Sequence, residues 1–142
     1  MRVSHGGLGL RRASKTHAFA ATAGNGNVGT IAVFTVTGEV LVGSISGYCS
    51  ENLVSAGAGT VSLGVTSSVS LFIAVTTATD LDNGTIWVDA TPDLYGVALP
   101  AACKDVVITQ NILMDVLTAA ISDGTVRIDV LWIPLSSDGL VA

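Results

Sequence analysis

Thr125-Val126-Arg127-Ile128-Asp129-Val130-Leu131-Trp132-Ile133 decides the class of fold. In an extended chain Val126, Ile128, Val130 and Trp132 fall on one side and Arg127, Asp129 and Leu131 on the other. That period of two belongs to a strand with one buried face. Ser122-Asp123-Gly124 precedes the run, and Asp-Gly favours the type I′ turn of a hairpin. Pro134 stops it, because proline cannot donate to a ladder. The expectation is one buried stripe, with Phe34 and Phe72 as its partners across the core.

Outward from this strand the same texture recurs. Residues 17–22 read as a weak first strand, and the Gly/Asn stretch 23–27 as a loop supplying positive φ. Residues 28–37 (VGTIAVFTVT) alternate, Gly38-Glu39 turns the chain, and residues 40–48 (VLVGSISGY) return as a hairpin. Residues 60–65 and 69–75 are two further strands joined by Thr66-Ser67-Ser68. Residues 86–88, 104–109 and 112–117 complete the set, with only 80–81 and 112–120 weakly arguable as helix. Eight or nine short strands at this spacing mark an all-β sandwich or jelly-roll-like domain.

Charge is distributed unevenly. Arg2, Arg11, Arg12 and Lys15 occupy the first fifteen positions, and no acid precedes Glu39. The remainder carries Lys104 and Arg127 against eleven acids. Residues 1–16 therefore read as an extended basic N-terminal arm, and residues 17–142 as a single β domain. The arm is expected to be flexible in the free subunit and to order against an acidic surface of a partner or of a neighbouring copy. The strongly acidic remainder opposes binding to a nucleic acid polyanion.

The hydrophobic fraction is 49% and the charged fraction 12%, with mean hydropathy +0.66. A typical domain carries about 25% charged residues. Such a surface is expected to face other protein chains, so the domain reads as a homo-oligomer. No apolar run reaches the length of a membrane helix. Seven aromatics are too few for the girdles of a membrane barrel, and no export signal is read.

Residues that do chemistry are scarce. His5 and His17 lie in the arm or at its edge, and no histidine follows. A Ser–His or Cys–His pair would have to recruit the arm, so no catalytic residue and no enzymatic activity is expected. Cys49 and Cys103 match no zinc spacing and read as small buried hydrophobes, with a bridge between them left open. Asp80 and Asp82 match the start of a calcium loop, but Gly84 and Thr91 stand where ligands belong, so no metal or cofactor is expected. Asp89 and Asp93, near Trp87 and Tyr95, have the look of a glycosidase pair but also of an ordinary turn. They keep a carbohydrate-binding β-sandwich module as an alternative.

Five stretches together resemble small β-rich structural proteins of tailed bacteriophages. They are residues 30–40 (TIAVFTVTGEV), 53–64 (LVSAGAGTVSLG), 76–82 (TTATDLD), 87–92 (WVDATP) and 131–139 (LWIPLSSDG). The similarity spans roughly 28–142 and is one of texture rather than of an active-site motif. It implies a virion component of the head decoration, or cement, type. Such a protein would be made in the host cytoplasm and bound to the major capsid protein on the capsid exterior. The resemblance further implies a homotrimer tied down by its N-terminal arm. A tail-tube or tail-tip protein is the alternative within the same resemblance.

The poverty in ligands generates a test. Chelation with EDTA should leave the thermal unfolding midpoint unchanged. A drop of several degrees, reversed by calcium, would mean that Asp80 and Asp82 hold a cation.

Overall fold

The computed structural model describes residues 9–94 and 105–142. The strands are β1 (Arg11–Ala18), β2 (Gly29–Phe34), β3 (Val36–Thr37), β4 (Val40–Val54), β5 (Thr60–Val65), β6 (Ser68–Thr77), β7 (Ile86–Trp87), β8 (Val106–Ile108), β9 (Ile112–Leu117), β10 (Asp123–Pro134) and β11 (Leu140–Val141). One turn of 3₁₀ helix, Ala78–Asp80, follows β6. The all-β sandwich expected from the alternation is what forms.

The first sheet runs β1-β10-β4, and β7 and β8 both pair with the far edge of β4. Its middle is the long antiparallel pairing of β10 with β4. Val126, Ile128, Val130 and Trp132 oppose Cys49, Gly47, Ile45 and Val42. All four β10 residues are buried, as the alternation requires, and Phe34 and Phe72 lie in the same core. Burying such side chains stabilises by about 1.5–3 kcal/mol each before chain entropy is counted.

The second sheet runs β2-β9-β5-β6. Ile112, Met114 and Val116 of β9 point inward with Ile31 of β2 and Val61, Leu63 and Val65 of β5. Trp87 of the first sheet reaches into the same core, fully buried, and its indole N–H donates to Thr76 Oγ1 at 2.8 Å. The small β3–β11 ladder clips the C-terminus to the chain where it crosses between sheets. Thr35 and Ala142 exchange both backbone hydrogen bonds there, at 2.7 and 2.9 Å.

Two expected hairpins are not hairpins. Residues 28–48 do turn at Gly38, with φ +64°. Yet β2 pairs with β9, while β4 is flanked by β10 on one side and by β7 and β8 on the other. With both edges of β4 taken, β2 buries Ile31 and Phe34 from the opposite layer. Likewise Asp123-Gly124 does not join β9 to β10, which belong to different sheets. It opens β10 with a register shift against β4, and Asp123 Oδ1 accepts from the Gly124 N–H at 2.9 Å. Gly124 has φ +107°, and a Cβ there would lie 2.5 Å from the Asn52 carbonyl oxygen. The pair is spent on that close approach. The β5–β6 hairpin, by contrast, forms where Thr66-Ser67-Ser68 predicts it.

The basic segment also divides. Residues 1–8, with Arg2 and His5, lie outside the described residues. From Arg11 the chain is β1, an edge strand in register with β10 from Arg11↔Trp132 to Ala18↔Thr125. The first strand thus starts six residues before His17 and stops at Ala18.

Replacing Trp132 by alanine removes the largest side chain of the β10 stripe. It should cost about 3–5 kcal/mol, measured by urea unfolding. A cost under about 1 kcal/mol would contradict the inward placement of Trp132 in the β10–β4 register.

Candidate assembly surface

The cations singled out in the sequence stand along β1. Arg12, Ser14 and Thr16 share the outward face of the first sheet with Arg127 and Asp129. Asp129 is the hub. Its Oδ1 accepts from Arg12 at 2.6 Å and from Ser14 Oγ at 2.7 Å, and its Oδ2 accepts from Arg127 Nε at 2.8 Å. Partial burial pushes the Asp129 carboxyl up, but hydrogen bonds from Arg127, Ser14 and Arg12 outweigh this and hold it below the ordinary value. The Arg127 guanidinium also sits 5.4 Å from the centre of the Tyr48 ring. Within this chain, Arg12 pairs with Asp129.

Arg11 and Lys15 differ from Arg12. By register they turn toward the inner side, but both remain exposed. Arg11 lies over the Trp132 ring at 5.4 Å, and Lys15 makes no ion pair among the described residues. Two positions further along β1, His17 packs edge-on against Phe19 with ring centres 4.8 Å apart. Its Nε2 is buried without a partner among the described residues, as is the indole nitrogen of Trp132.

The other chemical candidates resolve into turns and core. The Asp82 carbonyl accepts from Thr85 N–H and Oγ1 at 3.0 and 2.7 Å, which closes a tight turn. Asp89 Oδ1 accepts from Thr91 N–H and Oγ1 at 2.8 and 2.9 Å, while Asp93 bridges to Ile86 through backbone. The Asp89 carboxylate is thus occupied in a local turn, while Asp82 and Asp93 take part through their backbone. Trp87 is buried and offers no face to a sugar, and Tyr95 lies outside the described residues. Cys49 is a free, buried thiol that donates to the carbonyls of Glu51 and Leu81, and burial raises its pKa. Cys103 lies outside the described residues. A shallow cleft of about 200 Å³ opens between the β5–β6 turn and β8, where Gln110 Oε1 accepts from Ser67 N–H and Oγ at 2.9 Å. None of the described residues lining it is charged.

Sequence reasoning passed over Asp115. It stands in β9 between Thr30 of β2 and Ser62 of β5, on the outward face of the second sheet. It is 8% exposed, and desolvation raises its pKa. The signal was present in Ile112-Leu113-Met114-Asp115-Val116-Leu117, a lone acid in an otherwise apolar run.

No protein-family model matches the chain, and no curated protein matches it. Among solved structures it is similar to a chain of the cyanophage Pam1 capsid asymmetric unit. The TM-score is 0.55 at 14% identity, over 87% of this chain and 84% of that one. At that identity the likeness is one of fold.

His17 carries a pH dependence. Burial lowers its pKa below 6.5, and a hydrogen bond with the Asn25 backbone opposes this only in part. The unfolded chain then binds the proton more readily than the folded one. The stability due to the neutral ring is full above pH 6.5 and is lost as pH falls through the lowered value. His17→Leu should flatten the decline in thermal midpoint just below pH 6.5, relative to the parent chain. An unchanged slope would show that other groups set it.

Proposed function

We propose that this protein is a structural component of a phage virion, a head decoration protein that binds the major capsid protein on the shell exterior. The observation that carries this reading is the fold likeness to the capsid chain over most of both lengths. The chemistry of the chain agrees with it. Asp89 is engaged in a turn and Cys49 in the core, and the charged fraction is low. The protein acts through contact area and catalyses nothing. Each 1,000 Å² of apolar surface buried against the shell would contribute about 25 kcal/mol before entropy and desolvation costs. Bridging adjacent capsid subunits would direct that energy to resisting internal pressure. As a homotrimer the protein would match a local three-fold axis of a shell.

The test is reconstitution. Purified protein added to shells that lack it should appear by electron microscopy as density at fixed lattice positions outside the shell. It should also raise the temperature at which the shells rupture. Failure to cosediment with shells at physiological salt would overturn the decoration reading, and density on tails alone would assign the protein there.

A further inference from the structure

The outward faces of the two sheets are chemically unlike. The first carries the Asp129 network with its two arginines. The second is built from β2, β9, β5 and β6, whose sequences GTIAVF, ILMDVL, TVSLGV and SVSLFIAVTT hold a single charged residue, Asp115. The start of β6 folds over the outward side of β5. Ser62 Oγ donates to the Val69 carbonyl at 2.9 Å, and a Cβ on Gly64 would lie 2.5 Å from Val69 C. On the other flank Thr30 and Ala32 are exposed, and Leu117 is 40% exposed. Asp115 is thus recessed among uncharged neighbours, open toward β2. Its carboxylate has no hydrogen-bond or ion-pair partner among the described residues.

The Asp115 oxygens still reach solvent, but a recessed carboxylate with no partner is partly stripped of water, and a Ser, Thr or Asn in its place would avoid that cost. The chain also holds the complement. Lys15, on the edge strand β1, is an exposed cation without an ion pair among the described residues, on a stem long enough to enter a recess. We propose that the outward face of the second sheet docks a second copy of this chain, with the neighbour's Lys15 ammonium paired to Asp115. The apolar and hydroxyl surroundings, Thr30, Ala32 and Leu117, become the rim of the contact. The patch bearing Lys15 and the patch bearing Asp115 are different surfaces, so the contact is heterologous. It runs head to tail and closes into a ring where the rotation allows. This pairing rests on the assembly reading above, but concerns self-association rather than the shell.

The experiment uses the full chain and sedimentation equilibrium. Asp115→Asn should raise the thermal midpoint of the dilute subunit, because it removes the unpaired charge, yet weaken self-association by roughly 30-fold or more. Lys15→Glu should weaken self-association similarly and leave the midpoint of the dilute subunit near that of the parent. Mixing the two variants is decisive. The Lys15 variant keeps an intact Asp115 face, and the Asp115 variant keeps an intact β1 edge. A mixture at raised concentration should therefore form a dimer that grows no further, where each variant alone stays monomeric. A mixture that stays monomeric, or variants that associate like the parent, would overturn the pairing. Loss of shell binding with self-association intact would instead assign Asp115 to a capsid contact, and overturn it as well. A parent chain that self-associates but fails to bind shells would remove the decoration reading and leave this one standing.

Discussion

The antiparallel pairing of β10 with β4 is the constraint on which the rest of the structure depends. These are the two longest strands, and each lends its other edge to further elements: β10 to β1, and β4 to β7 and β8. Their inward residues, Val126 to Trp132 and Val42 to Cys49, form the floor against which the second sheet packs. A slip of one residue between them would turn the whole β10 stripe outward and drive Arg127 and Asp129 into the core. The bulges near Thr125 and Trp132 bend the strands at both ends while the central register holds. Such pairing is long-range in sequence, so its loop-closure cost falls early in folding, and folding should be slower than for a helical protein of this length.

The same pairing sets the electrostatics. Because β10 alternates, Asp129 emerges on the outward face between Ser14 of β1 and Ser46 of β4, and two arginines converge on it. Each ion pair is well exposed on the arginine side and adds no more than about 1 kcal/mol. Their larger effect is to fix β1, an edge strand with few buried side chains of its own. The cations on β1 also protect that edge, since charge on an open strand discourages indiscriminate pairing. β6, a ten-residue edge of the second sheet, carries no charge.

What the sequence made legible follows the same line. A strand whose two faces differ, such as β10, could be placed closely, because alternation is a direct imprint of one-sided burial, whereas β5 and β9 are buried on both faces. Pairing partners were not legible. Gly38 and Asp123-Gly124 carry the local chemistry of turns, and the chain does turn at Gly38. Whether the next strand returns to the same sheet depends on which edges other strands have already taken, and β4 had none free. The start of β1 was hidden for a related reason. Arg11, Arg12, Ser14, Lys15 and Thr16 are all exposed, so no hydrophobic period announces a strand held mainly by its ladder to β10. Asp129 as a hub was equally hidden, since two of its partners, Arg12 and Ser14, lie over a hundred residues away in sequence. Asp115 was legible as an oddity but not as a site, because only the register shows it flanked by Thr30 and Ser62.

The two outward faces then suggest a division of labour within one sandwich. A monomer gains nothing from a recessed, unpaired carboxylate set among uncharged neighbours. That feature makes sense if folding and assembly place opposite demands on the same residue. The first sheet spends its polar groups on itself: Asp129 satisfies Arg12, Ser14 and Arg127, and Arg127 lies against Tyr48. That face is complete without a partner. The second sheet leaves its one charge without a partner among the described residues, and the proposed pairing would supply one from a neighbouring copy. A protein with the proposed role, contact area, would have reason to be built this way. On that proposal the first face needs no partner, while assembly would give Asp115 its counter-charge.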